Sequence, residues 1–472
     1  MPHPYPELAR TVLLHPAIDN HAHPLLTEAN RDAFPFEGLV SEASGKAADD
    51  IGNTLIFHHA TARLAELYGL PPYAHASSPE SIAATSGDEI PPEIVPGTVS
   101  GSTWDALKKY RADIPYEELN ARVMKACHLE TLLLDDGLAG VETLCMAREA
   151  HDSFTRSSCK RIVRVEAVAQ DILAGLFVDL SSLDMQDVTL DPFCETWLSR
   201  TYADLQSAGS DEAVVGFKSV VAYRTGLDVV PLSPIWRDWI KTALAPKRSA
   251  EKTVGLPEAD EYLVPALRAW MKAQRANVME AKSGGGQASF RIQDKAVNDL
   301  LVGIAMIISE LFSKPVQFHT GLGDSDLRLA RASPAHLQPL LDAHPNTRVV
   351  LLHGSYPYTR DAGILAALYP NVYLDFGEVF AFISAEGQRA VIREMLEMAP
   401  WSKIMWSTDG HWWPESFYLG SLLAREALLD VLTSSIRSSR LPVPAAIELA
   451  KNALFHTANK AYNLGLATPE GF

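Results

Sequence analysis

Residues 17–24 read Ala-Ile-Asp-Asn-His-Ala-His-Pro, an apolar start that ends in two histidines one residue apart. In a β-strand residues i and i+2 share a face, so His21 and His23 aim two imidazoles at one point. Two imidazoles on one face make half of a metal site, and the other ligands must then come from elsewhere in the chain. A histidine by itself is more often structural than ligating. The reading therefore turns on how the other strands end.

Away from this strand the chain repeats one unit. Short apolar runs begin near residues 17, 131, 161, 213, 315, 348, 372 and 403, with helical stretches between them. Near-continuous apolar strands alternating with helices are the pattern of a parallel sheet covered on both faces. Eight such repeats predict an α/β chain closed into a (β/α)8 TIM barrel. Two stretches exceed the repeat, about 28–130 and about 228–290, and are expected as helical insertions after strands one and four that serve as cap or lid. The whole of residues 1–472 is read as one barrel domain. Helices are expected over Asn53–Tyr68, Tyr116–Glu130, Val141–His151 and Asp294–Phe312. The proline-rich Ser77–Ser102 is expected as loop, and Ser283-Gly284-Gly285-Gly286 as a mobile loop.

In such a barrel the chemistry sits at the C-terminal ends of the strands, on one rim. The first strand ends in His21 and His23, and the fourth carries Lys218 with Tyr223 and Arg224 beyond it. The fifth ends in His319 and the sixth in His353. The seventh continues to Glu378, and the eighth ends in Asp409 with His411. Four strand ends bearing imidazole or carboxylate in register are hard to attribute to chance. Each also has a plainer reading. Lys218 in VVGFKSVV can be an ion-pair lysine, His353 a hydrogen-bonded core histidine, Asp409 the start of an Asp-Gly turn, and Arg224 a structural ion-pair partner. No nucleophile elbow, phosphate-binding loop or dinucleotide fingerprint competes with the rim.

Composition narrows the partners. A formal charge of −17 argues against nucleic acid, and 47 % hydrophobic with 21 % charged residues is ordinary for a globular chain. The longest apolar run, Leu300 to Ile308, is about half a membrane span and reads as a buried helix. Four cysteines without C-x-x-C spacing, and no signal pattern at the N-terminus, fit a cytoplasmic protein. The expected partner is a small molecule, with neither membrane nor nucleic acid; a homo-oligomer is left open.

The pieces IDNHAHP, FHTG, LLHGSYP and WSTDGHWWPE, with GFKSVVAYRTGL between them, resemble the amidohydrolase superfamily. Within it they are most similar to the branch that includes the N-terminal half of fungal FluG-type proteins. The resemblance runs from about residue 15 to 460. It implies a divalent metal, most often zinc, held by His21, His23, His319 and Asp409. It implies that His353 helps polarise substrate in one-metal members and is a ligand in two-metal members, where a carboxylated lysine, here Lys218, bridges the ions; manganese is an alternative metal. FluG-type proteins are typically fused to a glutamine-synthetase-like domain, so the chain is expected to be a stand-alone version. The expected activity is hydrolysis of a C–N bond in a small carboxylated substrate, with Asp409 as base. Arg224, Tyr223, His411 and Glu378 would contact that substrate. The alternatives are a decarboxylase on the same barrel and a non-catalytic regulatory barrel.

Overall fold

The computed structural model describes residues 3–70, 98–138, 140–179, 190–243, 255–284 and 288–471. Eight parallel strands follow one another around a single sheet: β1 (Ala17–Ala22), β2 (Leu129–Asp135), β3 (Lys160–Arg164), β4 (Val214–Ser219), β5 (Val316–Phe318), β6 (Val349–Leu351), β7 (Val372–Asp375) and β8 (Ile404–Met405). Backbone bonds from Asn20 N to Trp406 O (3.3 Å), Asp409 N to His21 O (3.0 Å) and His23 N to Gly410 O (2.7 Å) join β8 back to β1. The sheet closes, and the expected barrel is the observed one.

Helices cover the outside because their apolar faces have the strands to bury against. Lys295–Phe312 is typical. The Asp294 side chain accepts from Val297 N (3.1 Å) to start it, and Ser313 in the left-handed region (φ 50°) ends it. Its apolar residues, the Leu300–Ile308 run among them, are largely buried. No helix among the described residues is long and apolar enough to cross a membrane.

The inside of the barrel is filled in two layers. Ile18, Leu133, Ile162, Val350 and Met405 pack on Phe455, Ala458 and Tyr462 from the C-terminal segment. Above them lies a polar layer. Gln317 Nε2 donates to Asn20 O (2.7 Å) and to Tyr462 Oη (2.8 Å), and Asn20 Nδ2 donates to Asp375 Oδ1 (2.7 Å). These bonds tie β1, β5 and β7 to the C-terminal segment and hold the strand ends above them in place.

Four local expectations need correction. Val141–His151 is not helical. Leu26 bridges Cys145 antiparallel, and Thr27 N and Met146 N donate to Leu144 O (2.8 Å) and Leu25 O (2.7 Å). The segment pairs with the chain leaving β1, and only a 3-10 turn, Arg148–Phe154, follows. The helix at Tyr116 ends at Lys125, and left-handed His128 (φ 53°) turns the chain so that Glu130 lies within β2. A helix over Thr98–Asp113 takes up the end of the expected 77–102 loop, whose remainder lies outside the described residues. Likewise Leu263–Gly284 stays helical through Gly284, and residues 285–286 lie outside them.

Candidate metal centre

The barrel delivers the expected strand-end residues to one mouth. A cavity of about 390 Å³ there is lined by His23, Lys218, Tyr223, Arg224, His319, His353, Glu378, Asp409 and His411, with His21 just beneath. Three of these sit on left-handed backbone directly after their strands: His353 (φ 68°), Glu378 (φ 52°) and Asp409 (φ 53°). Such conformations cost about 1–3 kcal/mol each for a non-glycine residue and persist only where the surroundings impose them. Here they turn the side chains inward over the floor.

The side chains that could hold a metal ion fall into two triads, His21–His23–Asp409 and His319–His353–Glu378. Within each, one donor atom per residue lies within 4.8 Å of the others. In the first, Asp409 Oδ1 is 3.2 Å from His21 Nε2 and 3.5 Å from His23 Nε2, yet it is buried without a hydrogen-bond partner. His23 Nδ1 lies 2.8 Å from the Asp135 carbonyl, an acceptor only, so the ring proton is on Nδ1. In the neutral ring a bare Nε2 lone pair therefore faces a bare carboxylate oxygen. Two electron-rich atoms at that distance suit a cation between them.

The second triad has the same form. His319 Nε2 donates to Leu322 O (2.7 Å), which leaves its Nδ1 lone pair free. His353 Nδ1 stands 3.2 Å from Glu378 Oε2, and neither atom has a hydrogen-bond partner. Both triads thus fit a divalent cation in donor type, burial and ring orientation. Glu378, expected at the substrate, lines the cavity and also stands beside the His353 imidazole. Lys218 Nζ lies 2.8 Å from His21 Nε2 and lines the same cavity.

Electrostatics sort these groups. Burial, with the Lys218 charge added, pushes His21 down to about 4, and burial holds His319 and His353 well below the usual imidazole range. All three are neutral at neutral pH, the form that ligates. Burial and Arg164 bring Lys218 down to about 8, partly offset by Asp135. For Asp409 burial acts upward, but the imidazoles of His353, His21 and His23 outweigh it and hold the carboxyl well below its ordinary range. Glu378 goes the other way, raised by burial and by the nearby Asp409 charge.

A second set of groups fixes the first. Asp19 accepts from Thr408 N (2.9 Å) and Thr408 Oγ1, tying β1 to the chain before Asp409. Asp375 Oδ2 accepts from His353 N (3.2 Å), Gly377 N (2.9 Å) and Ser407 Oγ (3.0 Å). Asp135 binds Arg164 Nη2 (2.6 Å) and Nε (3.0 Å) while its carbonyl orients His23.

The cavity also holds residues that the strand pattern does not announce: Glu42, Arg164, Gln170, Arg291, Asp324 and Trp412. Glu42 arrives from the first insertion, and burial together with Asp409 pushes it up to about 7. Trp412 packs on Phe34, also from that insertion, at 4.7 Å between ring centres. Arg164 closes the apolar run of β3 and was readable in principle. Glu42 and Arg291 lie in long connections with no periodic signal.

A closed parallel barrel with histidines and an aspartate gathered on its C-terminal rim is the arrangement that the resemblance to amidohydrolases implies. Residues 312–457 match the amidohydrolase family model. Over 98 % of its length it is 35 % identical to protein fluG of Emericella nidulans, and it spans about half (47 %) of that relative. Among solved structures it resembles a protein assigned as a metal-dependent hydrolase from Lactobacillus casei, with TM-score 0.68, 21 % identity and 97 % of each chain covered. It also resembles a uronate isomerase from Bacillus halodurans, with TM-score 0.54, 12 % identity and 97 % and 95 % covered. At those identities the two structures speak for the fold alone.

Proposed function

We propose that the chain is a metal-dependent hydrolase that cleaves the C–N bond of an amide in a small carboxylated substrate. γ-Glutamyl amides, the class the family resemblance suggests, are the first candidates. The observation that carries this reading is the pair of triads on one rim, with close, electron-rich atoms that no hydrogen bond joins. His21, His23, His319 and Asp409 would hold the cation, with His353, Glu378 and a carboxylated Lys218 available to a second ion. Bound there, a divalent ion, zinc first and manganese second, supplies Lewis acidity toward the scissile carbonyl and lowers the pKa of water toward about 7.

The protein's own groups do the rest. Asp409, kept ionised, takes a proton from the attacking water and returns it to the departing amine. His353, neutral and buried, moves a proton or a hydrogen bond at the carbonyl. Arg224, whose Nε is buried without a partner, engages the substrate carboxylate, and Tyr223 and His411 wall the cavity. The Phe34–Trp412 contact brings the first insertion to the cavity lining.

The test is a chelator-treated preparation offered γ-glutamyl amides, with metal content, amine release and CO2 release all followed. Loss of amine release on chelation and its return with zinc or manganese are expected. Full amine release from metal-free protein would overturn the reading, and CO2 in place of amine would make the protein a decarboxylase.

A further inference from the structure

We propose that Arg224 and Arg291 form a two-sided carboxylate clamp, with Asp326 as the counter-ion that an anionic ligand displaces. The proposal rests on the reading above that the substrate is a small carboxylate, and it adds Arg291 as a specificity residue together with the means of holding the clamp ready.

The two guanidinium groups come from distant parts of the chain and line one cavity. Arg224 follows the Val221–Tyr223 turn, where Val221 O accepts from Arg224 N (3.0 Å), Thr225 N (2.9 Å) and Gly226 N (3.0 Å). That turn fixes the base of the side chain. Arg291 precedes the helix Lys295–Phe312, and its neighbour Ile292 N donates to Gln170 Oε1 (3.2 Å). Its base is fixed as well. In each residue Nε is buried and has no hydrogen-bond partner.

Arg164 shows what an arginine in this cavity looks like when its role is structural: Asp135 binds it through Nε and Nη2. Arg224 has no such carboxylate among the described residues. Arg291 has one, Asp326 at 2.9 Å, whose side chain is 55 % exposed. An exposed ion pair is weak and exchangeable. Two cations facing one cavity also repel. Burial, then the Arg291 charge, brings Arg224 down to about 10, a cost that an anion between them would relieve. A planar carboxylate suits two guanidinium forks, each offering parallel N–H donors.

Glutarate, a dicarboxylate, and glutaramide, its uncharged diamide, are the probes, titrated calorimetrically into the metal-loaded protein. Glutarate is expected to bind and glutaramide not to. Arg291→Gln should weaken glutarate by about tenfold or more, the range for hydrogen bonds to a charged group. Arg291→Lys, which keeps the charge and loses the fork, should fall between that variant and the parent. Asp326→Asn decides the mechanism by its sign: a displaced counter-ion predicts about two- to fivefold tighter binding, the scale of an exposed ion pair. A structural role for the Arg291–Asp326 pair predicts weaker binding instead. Absence of glutarate binding, unchanged affinity in Arg291→Gln, or weaker binding in Asp326→Asn would each overturn the clamp. Binding is read without turnover, so failure of amine release with these results intact removes only the hydrolase reading.

Discussion

Asp409 leaves β8 on left-handed backbone and puts one oxygen within 3.2 and 3.5 Å of two imidazoles. Asp409→Asn keeps the shape but cannot accept a proton, so turnover should fall by about 10²–10⁴ while the melting curve stays put. Metal content measured on the same sample separates loss of the base from loss of a ligand. Gly323 offers a subtler probe. A Cβ there would lie 2.2 Å from Tyr223 Oη and 3.1 Å from His319 Nε2. Gly323→Ala should displace both rings and lower metal content with little change in melting temperature, since Gly323 is only half-buried in a rim loop. The residues legible in the sequence were those that end an apolar run: His21, His23, His319, His353 and Asp409 each stand at or just beyond a strand. Glu42 and Arg291 reach the same cavity through tertiary paths, and nothing in their neighbours along the chain encodes those paths.

A buried knot helps hold the first insertion to the barrel. Arg111, on Thr98–Asp113, pairs with Glu415 at the start of the helix Pro414–Arg437, and Tyr68 Oη donates to the same carboxylate oxygen (2.6 Å). The Arg111 guanidinium also lies over Phe36, 4.0 Å from the ring centre. Glu415→Ala leaves a buried guanidinium unpaired and should cost about 3–5 kcal/mol, read from urea denaturation. Glu415→Gln, which keeps an acceptor, should cost less; equal losses would mean that the packing matters and the charge does not. The same scale explains what periodicity misread. Val141–His151 has helix-like apolar spacing, but its backbone meets Leu25–Thr27, and His151 Nε2 accepts from Leu25 N (3.0 Å). A partner more than a hundred residues away decided its conformation. The strands were legible for the opposite reason, since most of them are buried on both faces along their own length.

Across the whole molecule, two buried histidines far from the rim tie stability to pH. Burial pushes His15 and His344 down to about 4, from an ordinary value of 6.5. Between those values the unfolded chain takes up protons that the folded one refuses. Their contribution is complete above about pH 6.5 and is lost as pH falls toward 4. Melting temperature should drop over that window. His15→Asn, whose amide can still donate to the Pro16 carbonyl as Nδ1 does at 2.7 Å, should flatten part of the slope. An unchanged slope would assign the loss to other groups. The closure of β8 onto β1 has a consequence for biosynthesis. His21 and His23 are translated well before Asp409. Until Asp409 has been made, the first triad has two of its three members, so any cation that needs all three can be held only once the chain after β8 has met β1.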